Sequence, residues 1–295
     1  MMGYIFLIFA LFAGATKGYC GKKTSGYVAK TRDAFFINMT RMLLCLLISF
    51  VLITVSGEIQ DLKVGHGVLV LSVISGITTS VFVILWIFSV QKGAYMMVDV
   101  FLMLGCIIPI VSSTILFDEK IEVKHIVGIV ILVVSAFIMC SYNNSIKSKM
   151  TLTSLVILVL CAMANGGTSL TQKMFATQYP DASVAVFNFY TYLFSGLVLV
   201  VCYVIYSWKE QEKQKVEKSI FGYIVIMAIC LFAHSYFMTF AAKHLAAVIL
   251  YPFNQGMAMV LSALMAAMFF KEKISSKCIL GMVLAFLGLL VINVL

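Results

Sequence analysis

Charged residues are scarce in this chain. They make up 11% of the sequence, while hydrophobic residues make up 62%. A typical soluble domain has roughly 25% charged and 45–50% apolar residues. The mean hydropathy is +1.07. This composition excludes a soluble globular protein and indicates an integral membrane protein that passes the cell membrane several times.

Sequence motifs for metal binding, zinc-dependent hydrolysis and ATP binding are also missing. The eight cysteines form no CxxC pair and no Cys/His ligand spacing, so no metal site is predicted. Neither HExxH nor a phosphate-binding P-loop occurs, which leaves no signature of a zinc hydrolase or of direct ATP use. The net charge of +9 comes largely from lysines in short loops, where they act as orientation signals. No cofactor and no nucleic-acid partner is expected.

Ten apolar runs fit the roughly 17–25 residues that a helix needs to cross a bilayer. The runs are continuous rather than alternating, which predicts helices, and lipid requires backbone hydrogen bonds to be satisfied within each segment. We therefore expect an all-α integral membrane protein with ten transmembrane helices. Their predicted bounds are 2–20, 35–56, 68–90, 94–117, 124–142, 152–177, 183–207, 220–242, 246–270 and 277–295.

One charged turn occurs twice. Residues 117–130, FDEKIEVKHIVGIV, reappear 153 positions later as 270–283, FKEKISSKCILGMV, with eight of the fourteen positions identical. Unrelated apolar segments would not share a charged turn in one register, so we interpret an internal repeat. The halves, 1–145 and 146–295, then hold five helices each, and because five is odd the second half is inverted. Such repeats are common in transporters, with the substrate near the midplane between them.

The order of these features resembles the drug/metabolite transporter superfamily, in particular its ten-helix EamA-type members. The resemblance implies a transporter of a small, amino-acid-like metabolite, with the first, third, fourth, sixth, eighth and ninth helices around a central cavity. Many members have a proline where this chain has Cys106 and Met259, so helix bending is not carried over. The residues that carry the resemblance are Gly14 and Gly167, the turns Lys92-Gly93 and His244-Leu245, and Glu-Lys-Ile followed by Gly128 or Gly281.

Ionisable residues inside apolar segments are binding-site candidates, because each costs on the order of 2.5–3.5 kcal/mol to insert. Arg41 and Asp99 lie near the starts of two segments that face the same side. We predict an ion pair or shared polar network between them that acts as a gate or substrate clamp; separate side chains that reach the interface are the alternative. His234 lies near the middle of the eighth segment and is a candidate proton carrier, or else a buried, hydrogen-bonded histidine.

The ninth segment opens with Tyr251-Pro252-Phe253-Asn254-Gln255-Gly256, the densest polar and helix-breaking cluster in any segment. An interrupted helix here would expose backbone groups to a substrate; a kink packed against a neighbour is the alternative. Lys173 is expected to extend to the interface, and Glu119 and Glu272 to be loop charges. No catalytic residue is predicted. The predicted substrate-binding residues are Arg41, Asp99, Asn165, Asn188, Tyr190, His234, Tyr236, Tyr251, Asn254 and Gln255.

We predict a secondary transporter, an exporter or exchanger that works by alternating access between the two halves. A membrane-embedded enzyme and a receptor without transport activity are the alternatives. The expected partners are a small-molecule substrate and the lipid bilayer, with protons as a candidate coupling ion. Lysine and arginine are concentrated in the loops after the odd-numbered segments, which places both termini outside by the positive-inside rule. The resemblance instead implies termini in the cytoplasm.

Overall fold

The computed structural model describes residues 2–92, 95–140, 152–209, 218–270 and 276–293, and these ranges contain helices and no strand. The second copy of the Glu-Lys-Ile turn and the junction of the two halves lie outside the described residues. A short 3-10 helix spans Glu58–Leu62. The α-helices are α1 (Met2–Ser25), α2 (Thr31–Val55), α3 (His66–Lys92), α4 (Tyr95–Gly105), α5 (Ile107–Phe117), α6 (Val123–Cys140), α7 (Leu152–Gln178), α8 (Val184–Lys209), α9 (Lys218–His244), α10 (Ala247–Phe270) and α11 (Ser276–Asn293).

The helices have the length and composition of membrane spans. Seven of the described helices, namely α1, α2, α3, α7, α8, α9 and α10, are long and apolar enough to cross a bilayer, and shorter apolar helices cover 101–117, 123–138 and 279–292. Large apolar side chains cover their outer faces: Phe12 is 65% exposed, Leu47 60% and Ile115 74%. Soluble monomers rarely expose extended apolar surface of this kind. The outer faces therefore contact lipid, and the chain is a multi-pass membrane protein.

Two local features fix the start of α2 and the end of α5. The Asp33 carboxylate accepts hydrogen bonds from the backbone N–H groups of Ala29 and Lys30, at 3.3 and 3.0 Å, which fixes the start of α2. At the end of α5, Asp118 adopts a left-handed conformation with φ of 53°. A residue in this conformation ends a helix and turns the chain sharply. The next residue, Glu119, is thereby turned towards the second half of the chain.

The fourth predicted segment, 94–117, is broken into α4 and α5 at Cys106. Pro109 has no N–H to donate to the carbonyl of Gly105 four residues earlier, which accounts for the break. By contrast, α10 runs unbroken from Ala247 to Phe270 through Pro252. The interrupted helix expected from the cluster at 251–256 is therefore wrong, and the break lies in the fourth segment instead.

Helix packing brings distant parts of the chain together. The most extensive contacts join α1 to α9, α6 to α11, α2 to α8, and α3 to both α7 and α8. The closest backbone approach near the cavity joins α4 to α7: a Cβ atom on Gly166 would lie 2.5 Å from the carbonyl oxygen of Gly105. Real Cβ atoms do not approach a carbonyl this closely, so glycine is required at this crossing.

A Gly166→Ala variant is expected to lower the free energy of unfolding by about 1–3 kcal/mol, because the added methyl group forces α4 and α7 apart. The matched control is Gly222→Ala in α9, where an added Cβ meets nothing within 4 Å. That change is expected to be neutral or to stabilise by up to about 1 kcal/mol, since alanine favours helix more than glycine does. Thermal unfolding in detergent micelles measures both. Equal shifts in the two variants would contradict the close crossing.

Candidate functional site

A polar cavity lies inside the helical bundle. Its walls come from α1, α3, α4, α7, α9 and α10, which include the first, third, fourth, sixth, eighth and ninth predicted segments named by the resemblance. Phe82 and Trp86 of α3 supply aromatic surface. The polar and charged side chains on its walls are Lys17, Asp99, Asn165, His234, Asn254 and Gln255.

Lys17 is the principal site residue that sequence reasoning missed. The first predicted segment, 2–20, contains Lys17, but Lys17 is not among the predicted binding residues; α1 continues to Ser25 and places Lys17 on the cavity wall. Its ammonium interacts electrostatically with Asp99 and with Arg41. Among the described residues, however, it makes no ion pair and no hydrogen bond. A lysine inside a membrane helix without a close partner is costly, which makes Lys17 a candidate functional group.

The structure brings Arg41 and Asp99 into one electrostatic neighbourhood but not into direct contact. Arg41 is 3% exposed, and its Nε has no hydrogen-bond partner among the described residues. It lines a small side cavity that it shares with Lys17, whereas Asp99 lines the main cavity with the same lysine. Within the described part of the chain, no ion pair joins Arg41 to Asp99. In place of a direct pair, Lys17 lines the cavities of both residues, and its ammonium is attracted by the Asp99 carboxylate and repelled by the Arg41 guanidinium.

His234 is held against α1 by a hydrogen bond. Its Nδ1 lies 2.8 Å from the carbonyl oxygen of Ala10. A carbonyl only accepts, so Nδ1 carries the proton and a neutral ring leaves Nε2 as an acceptor. Gly14 makes this approach possible, because a Cβ at that position would lie 3.0 Å from His234 Nδ1. The histidine is thus fixed in orientation on the cavity wall.

A second chamber adjoins the first and shares Lys17, Asn165, His234, Asn254 and Gln255 with it. Its further walls come from α3, α7, α8 and α9. Three side chains form a hydrogen-bonded chain across α7, α9 and α8: Gln172 Nε2 donates to Ser235 Oγ at 3.0 Å, and Ser235 donates to Asn188 Oδ1 at 3.0 Å. This chain fixes one wall of the chamber.

Five of the ten predicted binding residues lie off both chambers: Arg41, which lines the side cavity, and the four that follow. Asn188 is fully buried and supports Ser235 from behind. Tyr190 donates to the carbonyl of Leu62 at 2.8 Å, and Tyr251 donates to the carbonyl of Ser169 at 2.7 Å. Tyr236 is half-buried and packs among aromatic rings, including Phe232 and Phe240. These side chains fix the positions of helices around the cavity.

An ion pair between buried Lys173 and half-buried Glu119 lies at the end of the bundle that holds the start of α1. Lys173 Nζ is 2.7 Å from Glu119 Oε1 and donates to the carbonyls of Ala242 and Leu245 at 3.2 and 2.9 Å. The other oxygen, Glu119 Oε2, accepts from the backbone N–H of Ala247 at 2.7 Å, at the start of α10. The positive end of the helix dipole favours a carboxylate there.

The ion pair corrects two sequence expectations. Lys173 is 5% exposed rather than extended to the interface, and Glu119, in the loop after α5, has a half-buried carboxylate paired with Lys173 rather than a free loop charge. Glu119 precedes α6 in the first half of the sequence, whereas α7 and α10 lie in the second half. The two halves of the sequence are therefore fastened to each other at this side of the cavity.

Apolar membrane helices around an internal cavity with polar and charged side chains on its walls define a multi-pass membrane protein. The family model described as the EamA-like transporter family matches residues 1–141 and 152–294. The chain belongs to the EamA-like transporter family, which confirms the resemblance found in the sequence. A solved crystal structure is similar over 99% of this chain and 96% of its own, with a TM-score of 0.78 and 14% identity. At that identity the likeness is one of fold. No curated protein sequence matches the chain.

Proposed function

We propose that the protein is a secondary transporter, an exporter or exchanger in the cell membrane, that moves a small zwitterionic metabolite by alternating access. The observation that carries the proposal is the cavity in which Lys17 and Asp99 face a common space without pairing closely to each other. Two opposite charges held apart inside a membrane protein are stabilised by a solute that brings the complementary charges.

The chemistry of the cavity walls favours an amino-acid-like solute. Donors that suit a carboxylate are Lys17 and the Nδ2 of Asn165, which has no hydrogen-bond partner in the described part of the chain. Acceptors that suit an ammonium group are Asp99, the Nε2 of His234, and the Oδ1 of Asn254, which no described residue bonds. A solute with several phosphates would need more cations than these walls supply.

Alternating access requires two halves that move against each other. We propose ten membrane helices in two inverted five-helix halves, as the repeated turn suggests. The family match to two successive ranges supports this division. The packing pattern supports it too. In each half, the first segment packs against the third segment of the other half: α1 contacts α9, and α7 contacts α3. Equivalent segments of the two halves also pack against each other: the second segments, α2 and α8, and the fifth segments, α6 and α11.

Opening and closing would then centre on the ion pair between Glu119 and Lys173. With this pair formed, the halves are joined at the side where the N-terminus begins. Breaking the pair would separate the start of α10 from α5 and open the cavity to that side. Protons remain the proposed coupling ion, and His234 is the proposed carrier, since Nδ1 is bonded to Ala10 and no described residue bonds Nε2.

Counterflow in proteoliposomes tests the proposal. Vesicles loaded with one unlabelled amino acid at a time should transiently accumulate the labelled form, with a saturable rate, and an imposed pH gradient should change that rate. A membrane enzyme would instead convert the solute, and a receptor would bind it without accumulation. Absence of counterflow for every amino acid and every small metabolite in a broad panel would contradict a transport function.

A further inference from the structure

The second chamber contains three buried hydroxyl groups that have no hydrogen-bond partner among the described residues. They are Ser75 Oγ, Thr79 Oγ1 and Thr191 Oγ1. Ser75 is 1% exposed, Thr79 6% and Thr191 3%. Hydroxyls inside membrane helices usually donate to the carbonyl one turn earlier. Other hydroxyls of this bundle do so: their bonds join Ser72 to Val68, Thr78 to Ile74, and Thr239 to Ser235.

The three hydroxyls come together at the crossing of α3 and α8. Ser75 and Thr79 are one turn apart on α3, and Thr191 lies on α8. The crossing is close, because a Cβ on Gly76 would lie 2.9 Å from the carbonyl oxygen of Thr191. All three side chains line the same chamber. Buried hydroxyls that converge on one space without bonding to the protein are suited to bond a ligand there.

The position of the chamber relates these hydroxyls to the charged groups. Lys17 and His234 line both chambers, whereas Asp99 lines only the first and the three hydroxyls line only the second. A single small solute can therefore have its charged end at Lys17 and Asp99 and another group among the hydroxyls. An apolar group there would leave all three hydroxyls without a ligand partner. A site built to bond a polar group strongly disfavours an analogue that lacks it.

We propose that the second chamber is a specificity subsite for a hydroxyl or carboxamide group of the transported solute. The inference rests on the proposed function and narrows its substrate class: a zwitterion with a polar side group is accepted, and one with an apolar side group of the same shape is rejected. Hydroxyls both donate and accept, so the subsite bonds either a hydroxyl or an amide.

The sharpest test uses ligand pairs that differ by little more than one hydroxyl. L-threonine and L-valine have nearly the same shape, and L-serine and L-alanine form a second pair. Dissociation constants are measured by calorimetry on the purified full-length protein. We expect the hydroxylated member of at least one pair to bind about tenfold or more tightly. Thr191→Val should lower that ratio about three- to tenfold, the worth of one hydrogen bond.

The matched control is Thr54→Val, which makes the same chemical change at an exposed site where the hydroxyl bonds to the carbonyls of Phe50 and Val51. It should leave the ratio unchanged. If Thr191→Val does not fold, Thr79→Val and Ser75→Ala replace it in the same measurement. Equal or tighter binding of valine and alanine, with amino-acid counterflow intact, would overturn the subsite alone. Absence of binding for both pairs, together with absence of counterflow for any solute, would overturn the proposed function as well.

Discussion

A Lys17→Gln variant is expected to bind the transported solute about 10- to 100-fold more weakly while remaining folded, since a charge-assisted hydrogen bond contributes about 1.5–3 kcal/mol. Lys17 lines the cavity and has no close partner among the described residues, so its ammonium is available to a carboxylate. Removing a charge that the protein itself does not pair should leave thermal stability unchanged or raise it. Substitution of Lys17 is therefore expected to lower the affinity for the solute without lowering the thermal stability of the protein.

The matched control for this variant is Lys63→Gln, which removes the same charge at an exposed site after the 3-10 helix. Binding by calorimetry and thermal unfolding are measured on both proteins. The control should keep both the affinity and the unfolding temperature of the unaltered chain. Unchanged affinity in Lys17→Gln would remove this lysine from the binding site, and a collapse of stability would mean that it serves the fold.

The second large effect is expected at Glu119. Glu119→Gln leaves the buried Lys173 without its carboxylate partner, and removing one member of a buried pair destabilises by about 3–5 kcal/mol. The double variant Glu119→Gln with Lys173→Met should recover part of that loss, because no unpaired charge then stays buried. Unfolding in detergent measures both free energies.

Glu122→Gln is the matched control for this change. Glu122 pairs with Lys124 at 3.1 Å, but its side chain is 61% exposed, so its removal should cost less than about 1 kcal/mol. Equal effects at Glu119 and Glu122 would contradict a buried link between the halves. If the double variant is no more stable than Glu119→Gln, burial of an unpaired Lys173 charge is not the cause of the lost free energy of unfolding.

The class of fold could be predicted from the sequence because it depends on composition and on segment length. The site was predicted only in part, and Lys17 shows why. Its segment KGYCGKK is typical of the basic end of a membrane helix, yet Gly18, Cys20 and Gly21 are buried, so packing extends α1 beyond the predicted end at residue 20. A lysine near the predicted end of a helix can thus line the cavity.

Long-range pairing limits prediction in the same way. Glu119 and Lys173 are far apart in the sequence, and no local pattern indicates that they meet. The sequence makes Tyr190 and Tyr251 candidate binding residues, but only the structure shows that their hydroxyls already donate to the carbonyls of Leu62 and Ser169. By contrast, Asp99, Asn165, His234, Asn254 and Gln255 line the cavity, because polar side chains deep in apolar helices have few other places to go.

The most direct test of the central claim measures access to the cavity from both sides of the membrane. Ala258 lines the cavity on α10, so Ala258→Cys places a thiol there, and the unaltered chain gives the background from its native cysteines. A membrane-impermeant maleimide is applied to sealed vesicles of each orientation, with and without the amino acid that gives counterflow. We expect labelling from both sides, and the bound amino acid should slow it. Labelling from one side only, unaffected by any transported solute, would contradict alternating access to a central site.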